Sequence, residues 1–240
     1  MKQIRNFIIC AISILILFNL TACEDEYYIN TYWSENGFYC KREKENKIAI
    51  GNISFIPENG ALFVPSEIDG KTVSMLGFKL FDSDGFFYNC EKDEPLVKRY
   101  YAPNTIESVN TRYMQYCHNL KFFYCGNSNI DLSCLCLGYG NEIYIPDNCF
   151  DKLLDNSHDC LANIKKANIA YMLDEETYYY VDYYETNSKI LYPPPPPIKT
   201  GYKFDGWYTE RTFLNKWVFS DNTVQNSELE IKLYSKWIKI

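Results

Sequence analysis

Three short stretches decide how this chain is read: Tyr100-Tyr101-Ala102-Pro103-Asn104, Phe122-Phe123-Tyr124-Cys125-Gly126-Asn127 and Ile143-Tyr144-Ile145-Pro146-Asp147-Asn148. Each is a short apolar run stopped by Pro, Gly or Asn, which predicts a short strand ending in a turn. They recur at 22 residues from Ala102 to Tyr124 and at 21 from Tyr124 to Ile145. Leu62-Phe63-Val64-Pro65-Ser66 has the same ending and lies one longer step, 38 residues, upstream, measured from Val64 to Ala102. A period near 22 residues is that of a solenoid, whose coils bury their apolar faces only by stacking on one another. The chain holds 22 Tyr and 15 Phe, and aromatic enrichment favours strands. The expected fold class is therefore mainly β.

The residues between these strands carry a resemblance. Val64-Pro65-Ser66-Glu67-Ile68-Asp69-Gly70-Lys71-Thr72-Val73 followed by Leu76-Gly77 looks like the opening coil of BspA-type leucine-rich repeats. Phe86-Phe87-Tyr88-Asn89-Cys90 is similar to that family's apolar-Phe-x-x-Cys step, and Pro103 to Val109 followed by Cys117-His118-Asn119-Leu120 resembles a full repeat. The resemblance spans roughly residues 48–170 and is degenerate, with 85–95 resembling an insertion. It implies an irregular leucine-rich-repeat solenoid of short strands. Phe150, Leu153, Leu154, Leu161 and Ile164 recur at three or four residues, which predicts a short amphipathic terminal helix that would cap the coils.

Eight cysteines follow Cys23: Cys40, Cys90, Cys117, Cys125, Cys134, Cys136, Cys149 and Cys160. An even count in an exported chain invites disulfides. The repeat resemblance implies instead that Cys90 and Cys117 point inward as small apolar side chains, as free cysteine does. Cys134 and Cys136 share one strand face. With Cys117, Cys125 and His118 they form a conceivable zinc set, yet the spacing matches no common Cys-x-x-Cys site. Buried thiols are the leading reading, and no metal or cofactor is expected.

Pro193 to Pro197 is a run of five prolines, which predicts a stiff polyproline II spacer and, as an alternative, a ligand for proline-binding domains. Beyond it, Gly201-Tyr202-Lys203-Phe204-Asp205-Gly206-Trp207-Tyr208 and Leu233-Tyr234-Ser235-Lys236-Trp237 closely resemble the Listeria–Bacteroides repeat, over about residues 190–239. The resemblance implies a small β-rich module, similar to a grasp-type sheet. Trp207, Trp217 and Trp237 are read as its core, with a carbohydrate-stacking platform as the sharper alternative. Tyr178, Tyr179, Tyr180, Tyr183 and Tyr184 are a candidate binding surface, because tyrosine is amphipathic and stiff. They fit a strand leaving the solenoid equally well.

The N-terminus sets the expected compartment. Lys2 and Arg5 precede an apolar run from Phe7 to Leu20, and no acid occurs before Glu24. This is a secretory-signal layout, shorter than the ~20 apolar residues of a membrane span. Leu20-Thr21-Ala22-Cys23 resembles a bacterial lipobox, which implies lipidation of Cys23 and a membrane anchor. The expected organisation is a signal at 1–22, an anchored spacer and cap at 23–47, repeats at 48–190, a linker at 191–198 and a second module at 199–240.

The chain carries −7, and residues 1–22 contribute +2, so the remainder carries −9. So acidic a body is a poor nucleic-acid binder and as a whole would be weakly repelled by anionic lipid. His118 and His158 lie in no nucleophile, metal or phosphate motif. The acidic runs at Glu24-Asp25-Glu26, Glu91-Asp93-Glu94 and Asp174-Glu175-Glu176 are read as solvated faces. The expectation is a non-enzymatic, cell-surface lipoprotein that binds an extracellular protein or mediates adhesion. A glycan-binding lipoprotein and a hydrolase of unrecognised type are the alternatives.

Overall fold

A computed structural model describes residues 30–55, 57–77, 97–109, 119–126, 140–155 and 164–240. Among these residues the fold is mainly β with one short α-helix, arranged as three sheets. The first sheet is built from β1 (Thr31–Trp33), β2 (Phe38–Arg42), β3 (Lys47–Ile53), β5 (Glu67–Ile68), β6 (Lys71–Leu76) and β8 (Ser108–Val109). The second consists of β4 (Ala61–Phe63), β7 (Arg99–Ala102), β9 (Lys121–Tyr124), β10 (Glu142–Ile145) and β11 (Ile164–Lys166), all parallel and in sequence order. The third runs β13 (Tyr178–Asp182), β12 (Ile169–Met172), β15 (Ile231–Lys239), β14 (Tyr202–Tyr208).

The chain alternates between the first two sheets. It passes from β3 to β4, from β6 to β7 and from β8 to β9, while β3, β6 and β8 pair in parallel on one wall and β4, β7 and β9 on the other. Pairing on the second wall keeps the spacings of the sequence repeat: Ala61 opposes Arg99, Ala102 opposes Tyr124 and Lys121 opposes Glu142. Turn bonds tie successive segments together. Thr105 Oγ1 donates to the Val73 carbonyl at 2.6 Å, and Asn141 Oδ1 accepts the Leu120 N–H at 2.7 Å. Gly140 must be glycine, because its φ is +81° and a Cβ there would lie 2.6 Å from Asn119 Oδ1.

Strand alternation explains both cores. Leu62, Tyr100, Phe122 and Ile143 point toward Ile48, Ile50, Val73 and Leu76 of the first sheet. Their neighbours Phe63, Tyr101, Phe123 and Tyr144 point the other way, into a second core with Tyr171, Tyr180 and Leu233 of the third sheet. The middle sheet is thus buried on both faces, as parallel sheets are.

Three expectations need correction. The helix α1 covers Asp147–Asp155, and Ile164 belongs to β11, paired with Ile143; the strand pairing overrides the helical spacing. The C-terminal sheet does not begin at 199. Its strands β12 and β13 come from the stretch assigned to the repeats, because β15 pairs with β12 in parallel along Ile169–Met172. Residues 191–198 are not a free spacer. Pro194 and Pro197 are buried and Pro193, Pro195 and Pro196 exposed, as a three-residue-per-turn helix lying along the body requires.

The lipobox, Cys90, Cys117, Cys134, Cys136, Cys160, both histidines and the stretch 85–95 lie outside the described residues. No helix among the described residues is long and apolar enough to cross a membrane. Cys40, Cys125 and Cys149 are free. Burial pushes the Cys40 thiol up to about 11 and the Cys125 thiol higher still, whereas Cys149 is only half-buried. Thiolate is the reactive form, so alkylation of the folded protein near pH 8, mapped by mass spectrometry, is expected to label Cys149 well before Cys40 or Cys125. Equal labelling of the three would contradict their placement.

Candidate functional site

In-register parallel pairing stacks like side chains one strand spacing apart, and on the second face of the middle sheet this builds an aromatic ladder. Phe63 stacks on Tyr101 at 4.0 Å and 8°, Tyr101 on Phe123 at 4.6 Å and 12°, and Phe123 on Tyr144 at 5.0 Å and 15°. Tyr183 continues the row on Tyr144 at 4.9 Å.

A charged node sits on this ladder. Arg99 opens β7 and sends its guanidinium into the space between the second and third sheets. Nη2 donates to Asp182 Oδ1 in a tight ion pair and to the Tyr183 carbonyl at 3.2 Å, and Nε donates to Tyr101 OH at 2.7 Å. Tyr101 OH in turn donates to Asp182 Oδ2 at 3.0 Å, and the Tyr183 N–H to Asp182 Oδ1 at 2.7 Å. The guanidinium lies 4.6 Å from the Phe123 ring centre and 4.9 Å from that of Tyr184, within cation–π range. Burial pushes the Asp182 carboxyl up to about 6 against the pull of Arg99. Burial is the largest single influence on Arg99 and opposes its charge, but Asp182, Tyr101 and Tyr184 together outweigh it and hold the guanidinium above its ordinary value. Asp182 is wholly buried and both its oxygens are occupied, so the node is built to hold two layers together.

All five tyrosines lie at this junction, and of their two readings a strand is what Tyr178, Tyr179 and Tyr180 form. Tyr178, Tyr180 and Tyr184 are buried, and Tyr179 and Tyr183 are half-buried. Tyr180 OH donates to the Val64 carbonyl at 2.7 Å and its ring meets Phe63 edge-on at 5.2 Å. Tyr178 OH donates to Asn148 Oδ1 at 3.1 Å. Tyr184 OH accepts the N–H groups of Leu191 and Tyr192, which fixes the start of the proline stretch. Sequence reasoning missed Arg99 and Asp182. The available signal was a lone acid inside an aromatic run and a lone arginine opening an apolar strand.

Trp207 and Trp217 are buried. Trp237 is half-buried, edge-on to Phe204 at 5.7 Å. Gly206 marks a bulge between Phe204 and Trp207, with φ +141°. Beside it Asp205 accepts from Tyr208 OH at 2.6 Å and lies 3.3 Å from Lys236 Nζ.

The end of the sheet beyond Trp237 is open. Residues 198–203 and 238–240 are all exposed, Ile198 at 98 % and Ile240 at 82 %. Tyr202 opposes Lys239, Lys203 opposes Ile238, and the Ile240 N–H donates to the Gly201 carbonyl. Lys199 Nζ lies 4.7 Å from the Tyr202 ring centre and 5.7 Å from that of Trp237. Among the described residues no group of three or more His, Cys, Asp or Glu side chains is placed to hold a metal ion.

The Listeria-Bacteroides repeat domain is found at residues 168–236. The match starts at β12 and ends inside β15, so it takes in β13 and β14 as well and coincides with the third sheet. No curated protein matches the chain.

Proposed function

We propose that the protein is a non-enzymatic lipoprotein, anchored through Cys23 at the cell surface, that binds an extracellular protein partner. The observation that carries this reading is a Listeria-Bacteroides repeat domain packed as one body on stacked two-walled coils. The coils are read as an irregular solenoid of BspA-type repeats. That reading draws on strands that pair at the repeat spacing and on a chain that alternates between two parallel walls. Solenoids bind partners through extended faces. Here the aromatic face of the second wall is taken by the repeat domain, so a partner would meet the rims and the outer surface.

The glycan alternative calls for two coplanar exposed rings. The exposed Trp33 is tilted 44° to Tyr39 at 5.0 Å, which makes no flat platform. The hydrolase alternative calls for a paired carboxylate or histidine; among the described residues the buried Asp182 is paired with arginine instead.

Protease treatment of intact cells, with a Cys23→Ala control, tests the proposal. The mature protein is expected to be degraded in the wild type, and the Cys23→Ala protein to be lost from the membrane fraction. Full protection that only lysis removes would overturn the surface placement and leave a structural role inside the envelope.

A further inference from the structure

Charge is segregated on this acidic chain. Residues 198–204 and 231–240 hold Lys199, Lys203, Lys232, Lys236 and Lys239 and not one Asp or Glu. Antiparallel pairing of β14 with β15 brings residues 198–204 and 237–240, with Lys199, Lys203 and Lys239, to the same open end of the third sheet, whereas Lys232 lies toward the other end of β15. Lys232 and Lys236 are engaged by Glu230 and Asp205. Lys199, Lys203 and Lys239 make no ion pair among the described residues, and the acid nearest in influence is Asp174, whose carboxyl feels Lys199. The same end exposes Ile198, Ile238 and Ile240, with Tyr202 and the half-buried Trp237 between them.

We infer that this end of the third sheet is a seat for an anionic lipid bilayer. Unpaired lysines, protruding aliphatic side chains and a Tyr–Trp pair under a lysine match the three parts of a membrane surface. Lysines meet the headgroup charge, at about a fivefold gain in association each. Aromatic rings that are apolar with one polar tip settle at the headgroup level, and isoleucines reach the acyl boundary. The overall charge of the body opposes such contact, so orientation follows: this end faces the bilayer and the acidic remainder faces away. The inference rests on the membrane anchor of the proposed function, and a second contact would turn a tethered body into an oriented one.

The test uses the full chain in phosphatidylcholine vesicles, with and without phosphatidylglycerol, containing lipids brominated near the headgroup. Tryptophan quenching is read for the wild type, for Trp237→Phe, and for Lys199→Glu/Lys203→Glu/Lys239→Glu. Quenching is expected to rise with phosphatidylglycerol and to return to the neutral-vesicle level in both variants, the triple change weakening the docking by at least about a hundredfold, since loss of three lysines alone gives that factor and the glutamates add repulsion. The three lysines are exposed, so the triple variant should melt as the wild type does. Lys203→Glu alone provides a milder second case. Trp237 quenching that is equal in neutral and anionic vesicles, or unchanged by the lysine changes, overturns the proposal. So does lysine-dependent binding of soluble polyphosphate without lipid quenching, which would mark a polyanion partner. Retention on neutral vesicles requires only the anchor, so failure of the anchor and failure of this seat are read separately.

Discussion

Arg99→Met is expected to lower stability by about 3–5 kcal/mol near pH 8, because it strands Asp182 in the interior without its cation. The penalty is expected to shrink toward pH 5. In the wild type Asp182 has an ordinary value of 3.8 raised by burial to about 6. A carboxyl raised on folding favours the fold in its protonated form. Its contribution is fully present below 3.8 and is lost as pH rises through about 6. Without Arg99 the folded value moves higher still, so the difference between variant and wild type opens as pH rises through 6 and beyond. Guanidinium denaturation of both proteins at a series of pH values checks this. A difference independent of pH would show that Asp182 is not the group left exposed to the cost. Arg99→Lys should recover only part of the loss, since an ammonium cannot reach Asp182, Tyr101 and the Tyr183 carbonyl from one planar fork.

Phe123→Ala is expected to cost about 3–5 kcal/mol, through the cavity it leaves. The ring is fully buried, stacked between Tyr101 and Tyr144 and under the Arg99 guanidinium, and stacking of this kind adds about 0.5–1.5 kcal/mol. The location of the damage is the sharper readout. Phe123 faces the third sheet and its neighbour Phe122 faces the first. Hydrogen exchange should therefore quicken most in β13 for Phe123→Ala and most in β3 and β6 for Phe122→Ala. The same exchange pattern from both variants would contradict the two-core arrangement.

Much of the middle sheet was readable before any coordinates. The Pro, Gly and Asn stops placed four of its strands, and the steps of 38, 22 and 21 residues match the register in which each pairs in parallel with the next. The tryptophans at 207 and 217 were read as core, and they are buried. The tyrosine run was harder. Tyr178 to Asp182 alternates as a strand does, but a strand can cover a neighbour or face water, and both look alike in sequence.

The sequence by itself determined the local pieces: short strands with their stops, a chain rich in aromatics, and a C-terminal repeat carried by Gly206, Trp207 and Trp237. These depend on neighbours within a few residues or on a fixed period. Only the tertiary structure decided where the layers meet. Arg99 and Asp182 stand 83 residues apart, and no periodicity links them, since a buried ion pair depends on which two sheets face each other. The same holds for β12, which could have ended the second sheet or begun the next until β15 paired with it. It also holds for the lysines at the open end, which the net charge of −7 conceals because charge is summed along a chain but felt across a surface.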